Sequence, residues 1–161
     1  MIYVIMGVSG SGKSSIGQLL SDELGLQMYD ADDFHSKENI AKMASGSPLQ
    51  DEDRWDWLES VRSEFPRWSQ EGAILACSML RESYRKFLME VSVPLTWIFL
   101  DGSFELVLER LESRSAHFMK PSMLRSQFET LEIPEYGIHV SIDNTPHGVL
   151  LDILEGLAAN E

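Results

Sequence analysis

The chain has 161 residues, 43% of them hydrophobic and 24% charged, which is the length and composition of one globular domain. Its 26 acidic residues outnumber the 13 basic ones, and a formal net charge of −13 repels phosphate backbones and anionic membrane surfaces, which argues against nucleic-acid and membrane partners. The single cysteine, Cys77, excludes an intrachain disulfide; with neither a signal-peptide pattern nor a long apolar run, we expect a cytoplasmic protein.

Short apolar runs alternate with helical patterns along the chain. The first run, Ile2–Met6, has no polar alternation, which is typical of a strand buried on both faces. Four more predicted strands follow at residues 26–29, 74–77, 95–100 and 138–142. The sequence therefore predicts an α/β fold in a single domain, residues 1–161, with a five-stranded parallel sheet and helices on both faces.

The helical segments show amphipathic spacing and local end signals. Gly25 is expected to end the first helix, and Ser103 to cap the helix after the fourth strand. A short helix is predicted over residues 36–44 and a longer one over 79–91. Between them, a helix that Asp51 could cap should end or bend at Pro66, with these side chains inward: Trp55, Leu58, Val61 and Phe65.

Residues 7–14, GVSGSGKS, match the phosphate-loop pattern G-x-x-x-x-G-K-[ST] in full. The glycines let successive N–H groups point at a phosphate, Lys13 can reach the β- and γ-phosphates, and the Ser14 hydroxyl can bind Mg²⁺. A glycine-rich turn alone could match by chance, but the strand before it and the helix after it favour an ATP site. The predicted nucleotide-binding residues are Gly7, Ser9, Gly10, Ser11, Gly12, Lys13, Ser14 and Ser15.

An acidic cluster follows the second predicted strand, where ligands of open parallel sheets bind. Asp32 is the candidate base for an attacking hydroxyl, and Asp30 the candidate Mg²⁺ or water partner. Asp33 could be a helix cap or a surface charge. His35 could bind the phosphoryl acceptor or cap the next helix.

Several basic residues could face an anionic substrate, although each could also be a solvated helix residue. Arg54, Arg81 and Arg85 are candidates for binding an acceptor carboxylate, because the guanidinium group matches it bidentately. Ser78 could bind an acceptor hydroxyl or cap a helix. Arg110 and Arg114 share a helix face and could close over the phosphates, or simply complement the helix dipole.

Beyond the phosphate loop, the sequence resembles the gluconokinase family of small carbohydrate kinases. The residues that carry the resemblance are 6–14, 30–35, 38–43, 48–55, 77–78, 84–85, 117–119 and 126–128 with 131–132. The sequence differs from the family pattern at Ser15, Asp56 and residues 79–81, and the last of these differences lies beside the expected acceptor pocket.

The resemblance implies transfer of the ATP γ-phosphate to the 6-hydroxyl of D-gluconate with Mg²⁺. It also implies a nucleoside-monophosphate-kinase-like fold, often a homodimer, with an acceptor-binding insert at about residues 32–70 and a lid at about 114–126 that includes His117 and Lys120. It favours Asp32, His35, Arg54, Ser78, Arg81 and Arg85 as acceptor residues and places adenine near residues 143–146. The rival interpretations are a kinase of shikimate or another small molecule, and a nucleotide-binding switch without turnover.

Overall fold

The computed structural model describes residues 1–114 and 120–161. Five parallel strands form one sheet in the order β2-β3-β1-β4-β5. The strands are β1 (Ile2–Met6), β2 (Gln27–Asp30), β3 (Ala73–Ala76), β4 (Leu95–Asp101) and β5 (Ile138–Ser141). The predicted parallel five-stranded sheet is confirmed, with strand ends shifted by a residue or so from the predicted ones.

Strand β1 lies at the centre of the sheet, and its unbroken apolar sequence suits a strand that is buried on both faces. Val4 pairs with Leu75 of β3 on one side and Trp97 of β4 on the other, and all three side chains are buried. A strand with neighbours on both edges and helices on both faces has no position for a polar side chain. Because β1 is central, the loop that follows it opens in the middle of the sheet's carboxyl edge.

The helices surround the sheet as two outer layers. They are α1 (Lys13–Leu24), α2 (Lys37–Ala44), α3 (Asp51–Arg62), α4 (Phe65–Glu71), α5 (Glu82–Met89), α6 (Phe104–Glu112), α7 (Pro121–Thr130) and α8 (Pro146–Ala159). Helices α3, α4 and α5 contribute to the core on one face, and α1, α6, α7 and α8 to the core on the other. None of the helices described here is long and apolar enough to cross a bilayer.

Helix α3 buries a different tryptophan from the one expected. Trp57 is 7% exposed and its Nε1 donates to the Ala31 carbonyl at 2.7 Å, whereas Trp55 is 36% exposed and lies against Tyr84 and Phe87. The prediction that Trp55 faces inward is therefore wrong. The reason is specific: the indole of Trp57 satisfies a carbonyl from the loop after β2, which helical periodicity cannot reveal.

Two helix ends also differ from the prediction. Helix α3 ends at Arg62, and Pro66 lies in the first turn of α4, where the missing N–H costs nothing. Helix α5 begins at Glu82 rather than at residue 79, because the buried Met79 has a φ of 46° in the left-handed region. Such a conformation is uncommon outside glycine and lies in the loop next to the site.

Candidate active site

The carboxyl ends of three neighbouring strands bring the predicted site residues together. The phosphate loop follows β1, Asp30 ends β2, and Ser78 comes two residues after β3. The Gly7 N–H donates to the Ser78 carbonyl at 3.3 Å, so the phosphate loop and the β3–α5 loop are directly joined. One cleft therefore holds the phosphate loop, the acidic cluster and Ser78.

The phosphate loop requires glycine at the points where it turns. Gly10 has a φ of 79°, and a Cβ there would lie 2.7 Å from Leu111 Cγ. Gly12, with a φ of 101°, directly precedes α1. These values favour glycine and leave the inner side of the loop as backbone.

The N-terminus of α1 has the character of an anion site. Its N-cap residue, Gly12, has no side chain that could cap it, and its first turn contains no acidic residue. The first-turn N–H groups lack helical acceptors and carry the positive end of the helix dipole. The buried Ser11 Oγ also lacks a hydrogen-bond partner among the described residues. A bound phosphate fits this donor-rich loop.

Lys13 is held within the phosphate loop. Its Nζ donates to the carbonyls of Gly7 and Val8, both at 3.0 Å. Burial lowers the pKa of the Lys13 amine, while the negative charges of Asp32 and Asp30 oppose that shift. The ammonium group thus lies beside both the loop that would hold phosphate and the carboxylates that follow β2.

Asp30 and Asp32 form the acidic side of the cleft. The Asp30 carboxylate accepts from the Asp32 N–H at 3.0 Å and caps the short 3₁₀ turn Ala31–Phe34. Asp32 is open to solvent at the mouth, yet partial desolvation in the cleft, and then the charge of Asp30, raise its carboxyl pKa. A raised pKa makes Asp32 a better proton acceptor, as a general base requires. Asp33 is exposed.

His35 lies beside Asp32, at the end of the 3₁₀ turn, and does not cap α2. The cap of α2 is Ser36, whose Oγ accepts from the Asn39 N–H at 3.1 Å. The His35 ring stacks on Trp57, with centroids 4.5 Å apart and planes 13° from parallel. Burial lowers the pKa of His35, and the nearby Asp32 charge opposes this. A neutral imidazole at the acidic side of the cleft suits hydroxyl recognition.

Two of the three predicted acceptor arginines have solvent-accessible side chains. Arg54 Nη1 lies 3.4 Å from the Tyr84 hydroxyl and 3.7 Å from Asp51 Oδ1. The exposed Arg81 precedes α5, and its guanidinium group makes no hydrogen bond or ion pair with a described residue. Ser78 is half-buried. Arg54 and Arg81 can therefore turn toward an anion.

The third arginine, Arg85, was a candidate for binding an acceptor carboxylate, but it lies in the protein interior. Its side chain is fully buried, and it donates to Glu82, to Tyr136 and to the carbonyls of Met79 and Glu132. Every guanidinium nitrogen has a protein partner, so none is left for a substrate carboxylate. Arg85 instead anchors the strained Met79 backbone and ties the β3–α5 loop to the segment after α7.

A cavity of about 210 Å³ adjoins the phosphate loop on the side of β5. Its polar wall includes Arg110, Arg114 and Asn144, and its apolar wall includes Ile142 and Pro146. Arg110 donates to the carbonyls of Ile142 and Asn144, the latter at 3.4 Å, so it is fixed to the β5–α8 loop. Both arginines lie beside the phosphate loop; the predicted lid residue His117 falls outside the described residues.

Gln127 is a site residue that sequence reasoning did not single out. From α7, its Oε1 accepts from the Ser9 N–H at 2.8 Å and its Nε2 donates to Ser9 Oγ at 2.9 Å. The buried Asn39 was missed as well. Both belong to sequence blocks that resemble the gluconokinase family, and that was the only signal that could have found them.

The sequence is similar to those of known small-molecule kinases. The family model described as shikimate kinase matches residues 9–137. A probable gluconokinase of Rattus norvegicus is 41% identical and the match covers 97% of each chain; the thermoresistant gluconokinase of Escherichia coli (strain K12) is 39% identical over 96% of this chain and 91% of its own.

Solved structures lead to the same family. A gluconokinase from Sinorhizobium meliloti 1021 superposes with a TM-score of 0.88 at 39% identity, covering 98% of this chain and 91% of that one. A shikimate kinase from Aquifex aeolicus, 22% identical with a TM-score of 0.63, shares the fold. The chain is a P-loop kinase with a nucleotide-binding loop, and it belongs to the gluconokinase family.

Proposed function

We propose that this protein transfers the γ-phosphoryl group of ATP to the 6-hydroxyl of D-gluconate and releases ADP and 6-phospho-D-gluconate. The observation that carries the proposal is that one cleft joins a glycine-rich phosphate loop, which opens the N-terminus of α1, to Asp32, a carboxylate with a raised pKa. The gluconokinase names of relatives about 40% identical over nearly the whole chain supply the acceptor.

In the proposed reaction, the 6-hydroxyl oxygen attacks the γ-phosphorus as the bond to the bridging β–γ oxygen breaks. The hydroxyl proton passes to Asp32, and the bond electrons leave with ADP. In this proposal, Lys13 and the first-turn N–H groups of α1 stabilise the charge on the phosphoryl oxygens; the place of Lys13 within the phosphate loop supports this role. Arg114 and Arg110 line the nucleotide cavity and are proposed to hold the nucleotide there.

The oxygen groups near the phosphate loop fit a magnesium ion. Mg²⁺ is usually bound through one or two protein oxygens together with substrate phosphates and waters. We assign the Ser14 hydroxyl, in the first turn of α1, and the Asp30 carboxylate, at the end of β2, as its protein ligands. The ion would neutralise charge between the phosphates.

The acceptor is proposed to lie between the phosphate loop and residues 32–70, the segment assigned as the acceptor-binding insert. Arg54 and Arg81 are the candidates for the gluconate carboxylate, since their guanidinium groups remain accessible. Ser78 and His35 are the candidates for its hydroxyls. The lid at residues 114–126 stays a prediction, because residues 115–119 fall outside the described part of the chain.

We further propose that the enzyme works in the cytoplasm, where ATP and Mg²⁺ are supplied. The homodimer that the family resemblance implies stays a prediction, which sedimentation at working concentration would test.

Paired aspartate variants test the proposed chemistry. Asp32→Asn should lower kcat roughly 10²–10⁴-fold, because the general base is lost, and should leave ATP binding intact. Asp33→Asn, the exposed neighbour, is the matched control and should turn over like wild type. Equal turnover of Asp32→Asn and wild type would contradict the role of Asp32 and favour a nucleotide-binding protein without that chemistry.

A further inference from the structure

We propose that Asn39 is a positioning residue that fixes the His35 imidazole as the tautomer with its proton on Nε2, so that His35 donates a hydrogen bond to an oxygen of the sugar acid. The use of that proton rests on the proposed function. The tautomer itself does not, because it follows from contacts within the protein.

The amide of Asn39 has one possible orientation. The residue is 4% exposed, and its Nδ2 donates to the Asp53 carbonyl at 3.1 Å and faces His35 Nδ1 at 3.3 Å. A backbone carbonyl only accepts hydrogen bonds, so the amide nitrogen, not the amide oxygen, must face Asp53. The same NH₂ group then supplies its second proton to His35, and Nδ1 must be the acceptor.

Both partners of this contact are held in place. The His35 ring stacks on Trp57, whose own Nε1 donates to the Ala31 carbonyl at 2.7 Å. The Asn39 backbone N–H donates to Ser36 Oγ at 3.1 Å. Stacking holds the plane of the ring, and a 180° flip within that plane would break the hydrogen bond at Nδ1.

Burial and the Asn39 contact favour a neutral His35 ring, while a nearby carboxylate opposes it. Asp32, from the 3₁₀ turn after β2, is that carboxylate, and its charge favours the protonated ring. On α3, the Asp53 carboxylate is paired with Lys42 of α2 at 2.8 Å. Protonation of His35 at Nδ1 would turn the acceptor of the Asn39 contact into a second donor, so that contact opposes the charged form.

The neutral Nε2–H tautomer has a consequence for substrate choice. Nε2 makes no hydrogen bond to a residue in the described ranges, so its N–H is available in the cleft beside Asp32. Asp32 accepts a hydrogen bond and His35 donates one, which suits a polyol acid bearing adjacent hydroxyl groups. A site built around such paired groups discriminates strongly against acceptors that lack the matching oxygen.

Nitrogen-15 NMR of the ligand-free wild-type protein tests the tautomer directly. The His35 signals are assigned by their loss in His35→Gln, since the chain has four histidines. We expect a protonated Nε2 and an unprotonated Nδ1 at neutral pH. A ring protonated on Nδ1, or a mixture of both tautomers, would overturn the proposal even if gluconate is the substrate.

Asn39→Asp tests whether the His35 tautomer affects the use of gluconate. A carboxylate at this position accepts from Nδ1–H and should therefore move the ring proton from Nε2 to Nδ1. We expect kcat/KM for gluconate to fall roughly tenfold or more, the loss of about one hydrogen bond, with the KM for ATP unchanged. Lys42→Met, which removes the ion pair to Asp53 but not the amide contact, is the matched control. A reversed tautomer with unchanged gluconate kinetics would refute the positioning role.

Discussion

Asp32 lies in an environment that disfavours its negative charge. Removing that charge should therefore change the free energy of unfolding measurably. Desolvation and then Asp30 raise its folded-state pKa above the ordinary 3.8. An acid with a raised folded pKa lowers the free energy of unfolding as pH rises from the unfolded pKa through the folded one, and the loss is complete above that window. Asp32→Asn carries no charge there and should therefore be more stable than wild type at pH 7.

Urea unfolding without nucleotide or metal measures this difference, with Asp33→Asn as the control. A less stable Asp32→Asn would show that the carboxylate has favourable partners in the folded protein, and would contradict the electrostatic description of the cleft. A stability gain from removing a functional charge is the trade-off expected of an active site.

Arg85 should contribute to stability rather than contact the substrate. Removing one partner of a buried, hydrogen-bonded charge pair typically costs about 3–5 kcal/mol, so Arg85→Met should lower the free energy of unfolding by about that amount. Arg67→Met removes an exposed arginine that also bridges two glutamates, and its effect should be much smaller. Similar urea midpoints for the two variants would contradict the structural role of Arg85.

The sequence could not separate Arg85 from Arg81 or Arg54. Arg81 and Arg85 follow the third strand and Arg54 lies in α3, and for all three charge alone predicts an accessible guanidinium group. What buries Arg85 are its partners Tyr136 and the Glu132 carbonyl, which lie about 50 residues away in the chain. Lys13 could be identified because the phosphate-loop motif is local and contiguous.

Helix α7 is hydrogen-bonded to the phosphate loop through Gln127. Gln127→Leu removes both hydrogen bonds to Ser9, each contributing about 1 kcal/mol. We expect kcat/KM for ATP to fall roughly tenfold, and the free energy of unfolding to fall by at most about 2 kcal/mol, the sum for the two hydrogen bonds.

Glu129→Leu is the control, because it places the same new side chain at an exposed position of the same helix without removing a contact to the phosphate loop. If Gln127→Leu matched this control in ATP kinetics, the hydrogen bonds to Ser9 would have no part in positioning the loop.

Elements with strong local signals were predicted well from the sequence. Gly25 ends α1 and Ser103 caps α6 as expected, and the five strands follow the apolar runs. The start of α5 was missed because the left-handed backbone of Met79 is held by Arg85 Nη1, a tertiary contact that no propensity encodes.

For the whole molecule, the net charge of −13 would repel both anionic substrates. The cleft counters it locally, with Lys13 and the α1 N-terminus at the phosphate loop and Arg110 and Arg114 on the cavity beside that loop. The fold class and the phosphate-binding half of the site were therefore predictable from sequence. The acceptor half was only partly so, because it is assembled from separate loops and helices.

The most direct test of the proposed activity is ADP release from Mg-ATP with D-gluconate offered beside shikimate, glucose, other aldonates and nucleoside monophosphates. We predict strong stimulation by gluconate, with 6-phosphogluconate formed in equal amount to ADP. Stimulation by shikimate or another acceptor in place of gluconate would contradict the proposed substrate, and no stimulation by any acceptor, with ATP still bound, would contradict the proposed kinase activity itself.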